Sequence, residues 1–219
     1  LARGQTPNYA GGWLKLLDQD LALPPTVLQL AVEAGLVRPS THPEKCRLPD
    51  STREEIQTLA DAQSTKQPVH DFSHRYANAT LVPEKTINLL GGGWWEIIVA
   101  ETAERSHLFR DLRWSATVGE RQRADLEEDI LGIDGVQIIC ISCKRGGVGQ
   151  KLLSELEQLN NRAQSIGGHF TRRFLAIYLP LRGTLKKAIP QRAQALGIRI
   201  LGPSDLAQPG AFVRSAVGS

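Results

Sequence analysis

Residues Glu127–Gly147, "EEDILGIDGVQIICISCKRGG", contain two short apolar runs separated by a turn. The intervening "IDG" (Ile133–Gly135) is a tight-turn signal between isoleucine-rich segments, so the stretch predicts a β-hairpin. The second run ends in Lys144, and a charge at the end of a central strand is costly unless it is paired. Asp129 on the preceding strand is the partner we expect, near the same end of the sheet.

The C-x-x-C spacing of Cys140 and Cys143 lies within the second predicted strand. Successive side chains of a strand point to opposite faces, so the two thiols point apart and cannot hold one metal while the strand is regular. No second cysteine pair or histidine pair follows at zinc-ribbon spacing, and a redox pair would stand at a helix N-terminus. The glycines after Lys144 lack the order of a phosphate-binding loop. We therefore predict that both cysteines are buried packing residues.

The segments around the hairpin predict an alternation of helices and strands. A helix, "GGGWWEIIVAETAERS", follows a glycine turn, and a strand, "DLRWSATVGE", precedes the hairpin. After the hairpin come an amphipathic helix closed by Gly167–Gly168, the strand "RRFLAIYL", the helix "TLKKAIPQRAQALG" and the strand "IRILGP". This order predicts an α/β domain with a mixed sheet flanked by helices. Trp94 and Trp95 are expected to anchor the first helix on the sheet.

The N-terminal part has a different character. Residues 1–63 predict a small helical unit, similar to a winged helix, whose role is either DNA reading or packing. Residues 64–90 are polar and show little periodicity, which predicts a surface linker. The sheet-containing domain would then span residues 91–219.

Composition and charge limit the possible functions. The chain of 219 residues is 41% apolar and 22% charged, as in ordinary globular proteins, and no apolar run approaches a membrane span. Three cysteines favour a reducing, cytoplasmic compartment, and the absence of methionine favours a piece of a longer protein. From Cys140 to the last residue there are 12 Lys and Arg residues but only 3 Asp and Glu residues, whereas the net charge of the whole chain is only +3. A basic half predicts either a polyanionic partner or a solvated basic surface.

The predicted neighbours Asp129 and Lys144, behind a helix that carries Glu96, suggest phosphodiester chemistry. Carboxylates can hold a divalent cation against a phosphate, while a lysine positions water and offsets developing charge. Oxygen ligands favour Mg²⁺ or Mn²⁺. The alternative is that Asp129 and Lys144 form only a structural salt bridge.

Three stretches together resemble the PD-(D/E)XK nuclease superfamily, and within it the nuclease domain of CRISPR-associated CARF–nuclease proteins. They are "GGGWWE" (Gly91–Glu96), the hairpin segment Glu127–Gly147, and "ELEQLNNRAQSIGGHFTRRFLAIY" (Glu155–Tyr178). The resemblance covers roughly residues 91–206 and implies a restriction-endonuclease-like fold. It is carried by the order and spacing of the pieces rather than by any one of them.

The resemblance implies a role for each matching residue. Glu96 and Asp129 would bind the metal, and Lys144 would be the catalytic lysine. The departure is Ser142, because the family pattern has an acidic residue two positions before the lysine. Ser142 would support a metal-bound water, and the second carboxylate would come from Glu96 or from the neighbouring Glu127 or Glu128. Five further residues are candidates for nucleic-acid contacts: Lys151, Gln158, Arg162, Arg172 and Arg173.

These features predict a metal-dependent endonuclease that cuts DNA or RNA and acts as a homodimer. The family further implies a CRISPR-associated effector, switched by a cyclic oligoadenylate that binds a domain absent from this chain. The alternative is a catalytically degenerate nuclease fold that serves as a nucleic-acid-binding or assembly module.

Overall fold

The computed structural model describes residues 2–5, 46–47, 53–54, 56–57, 61, 67–76, 79, 81–82, 87–119, 126–146, 150–207 and 211–212. It divides into two compact units, one of Leu1–Asn8 with Trp95–Ser219 and one of Tyr9–Trp94. None of the described helices is both long and apolar enough to cross a bilayer. Most of the predicted N-terminal helical unit, including its helix-turn-helix pattern, lies outside the described residues.

Strands and helices of the described residues are numbered in chain order. The strands are β1 (Ala2–Gln5), β2 (Cys46–Arg47), β3 (Leu81–Val82), β4 (Asp111–Val118), β5 (Leu126–Asp134), β6 (Gln137–Lys144), β7 (Arg172–Ile177) and β8 (Ile198–Leu201). The helices are α1 (Gln67–Tyr76), α2 (Trp94–Arg105), α3 (Gln150–Gly167), α4 (Leu185–Ala195) and α5 (Pro203–Leu206).

One six-stranded mixed sheet organises the larger unit, in the order β1-β4-β5-β6-β7-β8. The pairs from β1 to β6 are antiparallel, whereas β6–β7 and β7–β8 are parallel and are connected through α3 and α4. The predicted mixed sheet with helical crossovers is therefore confirmed. The edge strand β1 was not predicted, because "ARGQ" has no apolar alternation and becomes a strand only through pairing with β4.

The predicted hairpin is present between β5 and β6. Asp134 pairs with Gln137, and Gly135 adopts a left-handed φ of +59° in the two-residue turn. Within β5, Gly132 allows a close approach of Phe109, since a Cβ at this position would lie 2.5 Å from the Phe109 ring. The hairpin thus depends on two glycines for different reasons.

The main core lies between the sheet and the crossover helices. Helix α3 contributes Leu152, Leu156, Leu159 and Ala163 at helical spacing, and α4 contributes Ile189 and Ala193 to the same cluster. As predicted, α3 ends at the glycine pair, where Gly168 has a left-handed φ of +66°.

Both tryptophans of α2 are buried, as expected for anchors. The Trp95 indole Nε1 donates a hydrogen bond of 3.0 Å to the carbonyl of Ala176 on β7. This bond attaches α2 to the sheet and so fixes the helix that carries Glu96.

The smaller unit departs from the predicted linker at residues 64–90. Helix α1 forms there, with Phe72 and Tyr76 buried and their rings 4.8 Å apart. Two apolar residues four positions apart share one helix face, and this short signal is hidden among polar residues. Strands β2 and β3 pair in the same unit.

Candidate active site

Lys144 is the last residue of β6, and its ammonium group lies between two carboxylates. Nζ is 3.7 Å from Asp129 Oδ2 and 3.4 Å from Glu155 Oε2 on α3. The predicted pairing of Asp129 and Lys144 is therefore present. Burial alone would lower the pKa of Lys144, but the charges of Asp129 and Glu155 outweigh it and raise the pKa above its usual value. The lysine is thus held as a cation.

Asp129 is fixed by β6 as well as by its own strand. Its Oδ2 accepts hydrogen bonds of 2.6 Å from the backbone N–H of Cys143 and 3.2 Å from the Ser142 hydroxyl. The backbone register between the two strands begins one position later, at Ile130 and Ile141. The side chain of Asp129 thus satisfies a backbone donor where the strands separate.

Ser142 is fully buried and acts as a donor to Asp129. Its hydroxyl adds no negative charge where the family pattern has an acid. An acid at this position would place a second negative charge against Asp129, whereas the serine supports the aspartate. Ser142 therefore orients a carboxylate in this chain.

Glu96 lies in the first turn of α2 and accepts a hydrogen bond of 3.2 Å from the Trp114 indole on β4. Burial, followed by repulsion from Asp129, raises the pKa of Glu96 to about 7, against the opposing effects of Trp114 and Lys144. The structure therefore places Glu96 within electrostatic reach of both Asp129 and Lys144. The two carboxylates repel each other, and a cation bound between them would reduce that repulsion.

The two other acids proposed as second carboxylates have different surroundings. Glu127 is exposed. Glu128 has no exposed side-chain surface and accepts a hydrogen bond of 2.6 Å from Arg162 Nε on α3. Burial raises the pKa of Glu128 even though Arg162 opposes the shift. Glu128 and Arg162 thus form a buried ion pair that joins β5 to α3.

The residues predicted to contact nucleic acid fall into two groups. Lys151 and Gln158 are on α3, and both residues are exposed. The arginines have internal partners: Arg162 binds Glu128, Arg172 is 3.3 Å from Asp134, and Arg173 donates to the carbonyls of Leu196 and Gly168.

Cys140 and Cys143 are buried free thiols in β6, and burial raises the pKa of both. Cys140 belongs to the core cluster with α3. After burial, the charges of Asp129 and Glu96 contribute most to raising the pKa of Cys143. Within the described part of the chain, no group of three His, Cys, Asp or Glu residues is arranged to hold a metal. The interpretation of these cysteines as packing residues is confirmed.

Two site residues were missed by the sequence analysis, Glu155 and Trp114. Glu155 lies next to the apolar stripe of α3, between Leu152 and Leu156. An acid so close to a buried helix face needs a partner, and this was the signal in the sequence that could have identified it. Trp114 carried no signal, because a tryptophan in a strand usually indicates packing alone.

Comparison with solved structures places the fold among known α/β architectures. The chain is similar to the protein VC1899 from Vibrio cholerae, with 19% identity and a TM-score of 0.53, over 94% of this chain and 56% of that one. It is also similar to Can2 from Sulfobacillus thermosulfidooxidans, solved in complex with cyclic tetra-adenylate, with 14% identity, a TM-score of 0.53, and coverage of 97% and 58%. The chain thus spans little more than half the length of either. No family model and no curated protein matches the sequence.

Proposed function

We propose that the chain contains a metal-dependent endonuclease that hydrolyses phosphodiester bonds in DNA or RNA. The observation that carries the proposal is the convergence of Glu96, Asp129 and Lys144 at one end of the mixed sheet. Two acids for a cation and one lysine for phosphate charge are the groups that such a reaction needs. The resemblance to the PD-(D/E)XK superfamily supports the same class.

The donor set fits Mg²⁺ or Mn²⁺. Mg²⁺ is commonly bound by one or two carboxylates, with waters and substrate phosphates as the remaining ligands. The contacts that fix Asp129 all reach Oδ2, and Trp114 reaches Oε2 of Glu96, so Oδ1 and Oε1 are the atoms that would hold the ion. When bound, such an ion lowers the pKa of a water ligand and offsets the charge of the phosphate.

Lys144 acts as a fixed positive charge beside the carboxylates. Its ammonium group has three N–H donors; Glu155 lies within hydrogen-bond distance at 3.4 Å, whereas Asp129 at 3.7 Å attracts it by charge. A donor not engaged by Glu155 can bind the attacking water or a phosphoryl oxygen. Ser142 and the Cys143 amide keep Asp129 in place during the reaction.

The substrate would reach the site across the basic half of the chain. Lys151 and Gln158 are on the helix that carries Glu155, and neither forms an ion pair among the described residues, so they are the predicted contacts best placed for a phosphate backbone. Arg162, Arg172 and Arg173 could contribute only by exchanging their internal partners. We retain the homodimer as part of the proposal, with each site cutting one strand.

A nucleotide switch completes the proposal. The solved Can2 structure contains cyclic tetra-adenylate, and this chain corresponds to little more than half of that protein. We propose a cytoplasmic CRISPR-associated effector in which a cyclic oligoadenylate binds a segment outside this chain and controls the nuclease.

The test is cleavage of supercoiled plasmid, single-stranded DNA and single-stranded RNA with Mg²⁺ or Mn²⁺, with and without cyclic tetra-adenylate. Lys144→Ala should reduce the rate by about 10²–10³-fold, because a charge aimed at the transition state is lost. Lys186→Ala on α4, which removes an exposed lysine, is the matched control and should cleave like the wild type.

One observation favours a second candidate function. The fully buried Ser142 stands where the family pattern has an acid, and this is the change expected in a fold that has lost catalysis. The chain would then be a nucleic-acid-binding or assembly module. Wild-type protein that is inactive with every metal and activator, but binds DNA with a steep salt dependence, would establish this alternative.

A further inference from the structure

We propose that Glu155 is a positioning residue that holds the Lys144 ammonium group at the site from the side of α3. The catalytic meaning of this inference rests on the proposed nuclease function. The contact itself is independent of that function, since it joins Nζ to Oε2 at 3.4 Å, closer than the 3.7 Å to Asp129.

The surroundings of Glu155 distinguish this contact from a surface ion pair. Its side chain is only 16% exposed, whereas Glu157, two residues further along α3, is 41% exposed and pairs with Arg192 on α4. Pairs at exposed positions contribute little because water screens them, while partly buried pairs restrain both side chains more strongly. One helix therefore contains a site pair and a surface pair for comparison.

A second line of evidence is the distribution of acids around the site. From Cys140 to the C-terminus there are only three acids, and the other two are engaged elsewhere, Glu157 with Arg192 and Asp205 with the Gly202 backbone. Glu155 is thus the acid of this basic half that is directed at Lys144.

The two partners of Lys144 would respond differently to a cation. Asp129 is a proposed cation ligand, so a bound ion would offset its charge and weaken its attraction for Nζ. Glu155 would then be the remaining carboxylate that holds the ammonium group at the end of β6. The buried Ser142 cannot take this role, because it has no charge and donates to Asp129.

The experiment compares Glu155→Gln and Glu155→Asp with Glu157→Gln as the matched control. In cleavage assays with Mn²⁺, Glu155→Gln should lower kcat by about ten- to a hundredfold, because a displaced catalytic group costs rate. KM and the Mn²⁺ concentration for half-maximal rate should not change, and Glu155→Asp should recover part of kcat. A raised Mn²⁺ requirement in Glu155→Gln would overturn the inference, because Glu155 would then be a cation ligand.

A second measurement does not need enzyme activity. Acetylation of Lys144 at fixed pH, followed by mass spectrometry and referred to Lys186 in the same protein, should be about threefold faster or more in Glu155→Gln. A released ammonium group is more accessible and less restrained, so Glu157→Gln should leave the ratio unchanged. Equal ratios in the wild type and both Glu155 variants would overturn the inference. Absence of cleavage by the wild type would contradict the proposed nuclease function alone, since the labelling ratio would still decide the role of Glu155.

Discussion

Replacing Glu96 by Gln should stabilise the metal-free protein at pH 8. Glu96 is held between burial, which disfavours its charge, and Asp129, which repels it. Glutamine keeps an oxygen that can accept the hydrogen bond from Trp114 but removes the charge. The gain in stability should therefore depend on pH in a way that identifies this one carboxyl.

The size of the effect follows from the pKa of Glu96. Folding raises it from 4.5 to about 7, which corresponds to at most about 3 kcal/mol, with solvent screening reducing the figure. Because the folded-state pKa lies above the unfolded value, the full stability is present below pH 4.5 and is lost as the pH rises through 7. The variant should match the wild type near pH 4.5 and exceed it by about 1–3 kcal/mol at pH 8.

The measurement is equilibrium unfolding in urea with a chelator present, at several values between pH 4.5 and 8. Taking the difference between variant and wild type removes the other groups that titrate in this range. Added Mn²⁺ at pH 8 should stabilise the wild type and leave Glu96→Gln unchanged, because the variant lacks one proposed ligand.

Two further variants test the same assignment to Glu96. Glu127→Gln removes an exposed carboxylate and should show no such pH-dependent gain. Trp114→Phe removes the hydrogen bond that lowers the pKa of Glu96. In this variant the free energy of unfolding should therefore keep falling up to a higher pH than in the wild type. A Glu96→Gln variant that is no more stable than the wild type at pH 8, or equally more stable at pH 4.5, would refute the reasoning.

Two other predictions follow from the core. Arg162→Met should cost about 3–5 kcal/mol in urea unfolding, because it leaves Glu128 buried without its partner, and Arg162→Met/Glu128→Leu should recover most of the loss. A cost below about 1 kcal/mol for the single variant would contradict the buried-pair description. In a Cys46→Ser background, Cys140 and Cys143 should react with a thiol reagent at pH 8 only as fast as the protein unfolds, because burial raises the pKa of both. Rapid modification of native protein would show that β6 is accessible.

The order of elements in the larger unit could be predicted because its signals are local. Isoleucine-rich runs separated by "IDG" indicate a hairpin, and leucines at helical spacing indicate an amphipathic helix that a glycine pair ends. The strand β1 and the helix α1 escaped prediction for opposite reasons. The first exists only through its pairing with β4, and the described buried apolar residues of the second, Phe72 and Tyr76, stand among polar residues.

The sequence by itself singled out Asp129 and Lys144 as a charged pair and Glu96 as a carboxylate on the preceding helix, but not Glu155 or Trp114. The lysine at the end of β6 required a partner, and strand alternation separated the two cysteines, since both consequences depend on neighbours in the chain. Only the tertiary structure decided which partner each charged side chain of the site and the neighbouring core has. It placed Glu155 against Lys144, Trp114 against Glu96 and Arg162 against Glu128. These contacts join residues far apart in sequence, and their strength depends on burial, which packing alone creates.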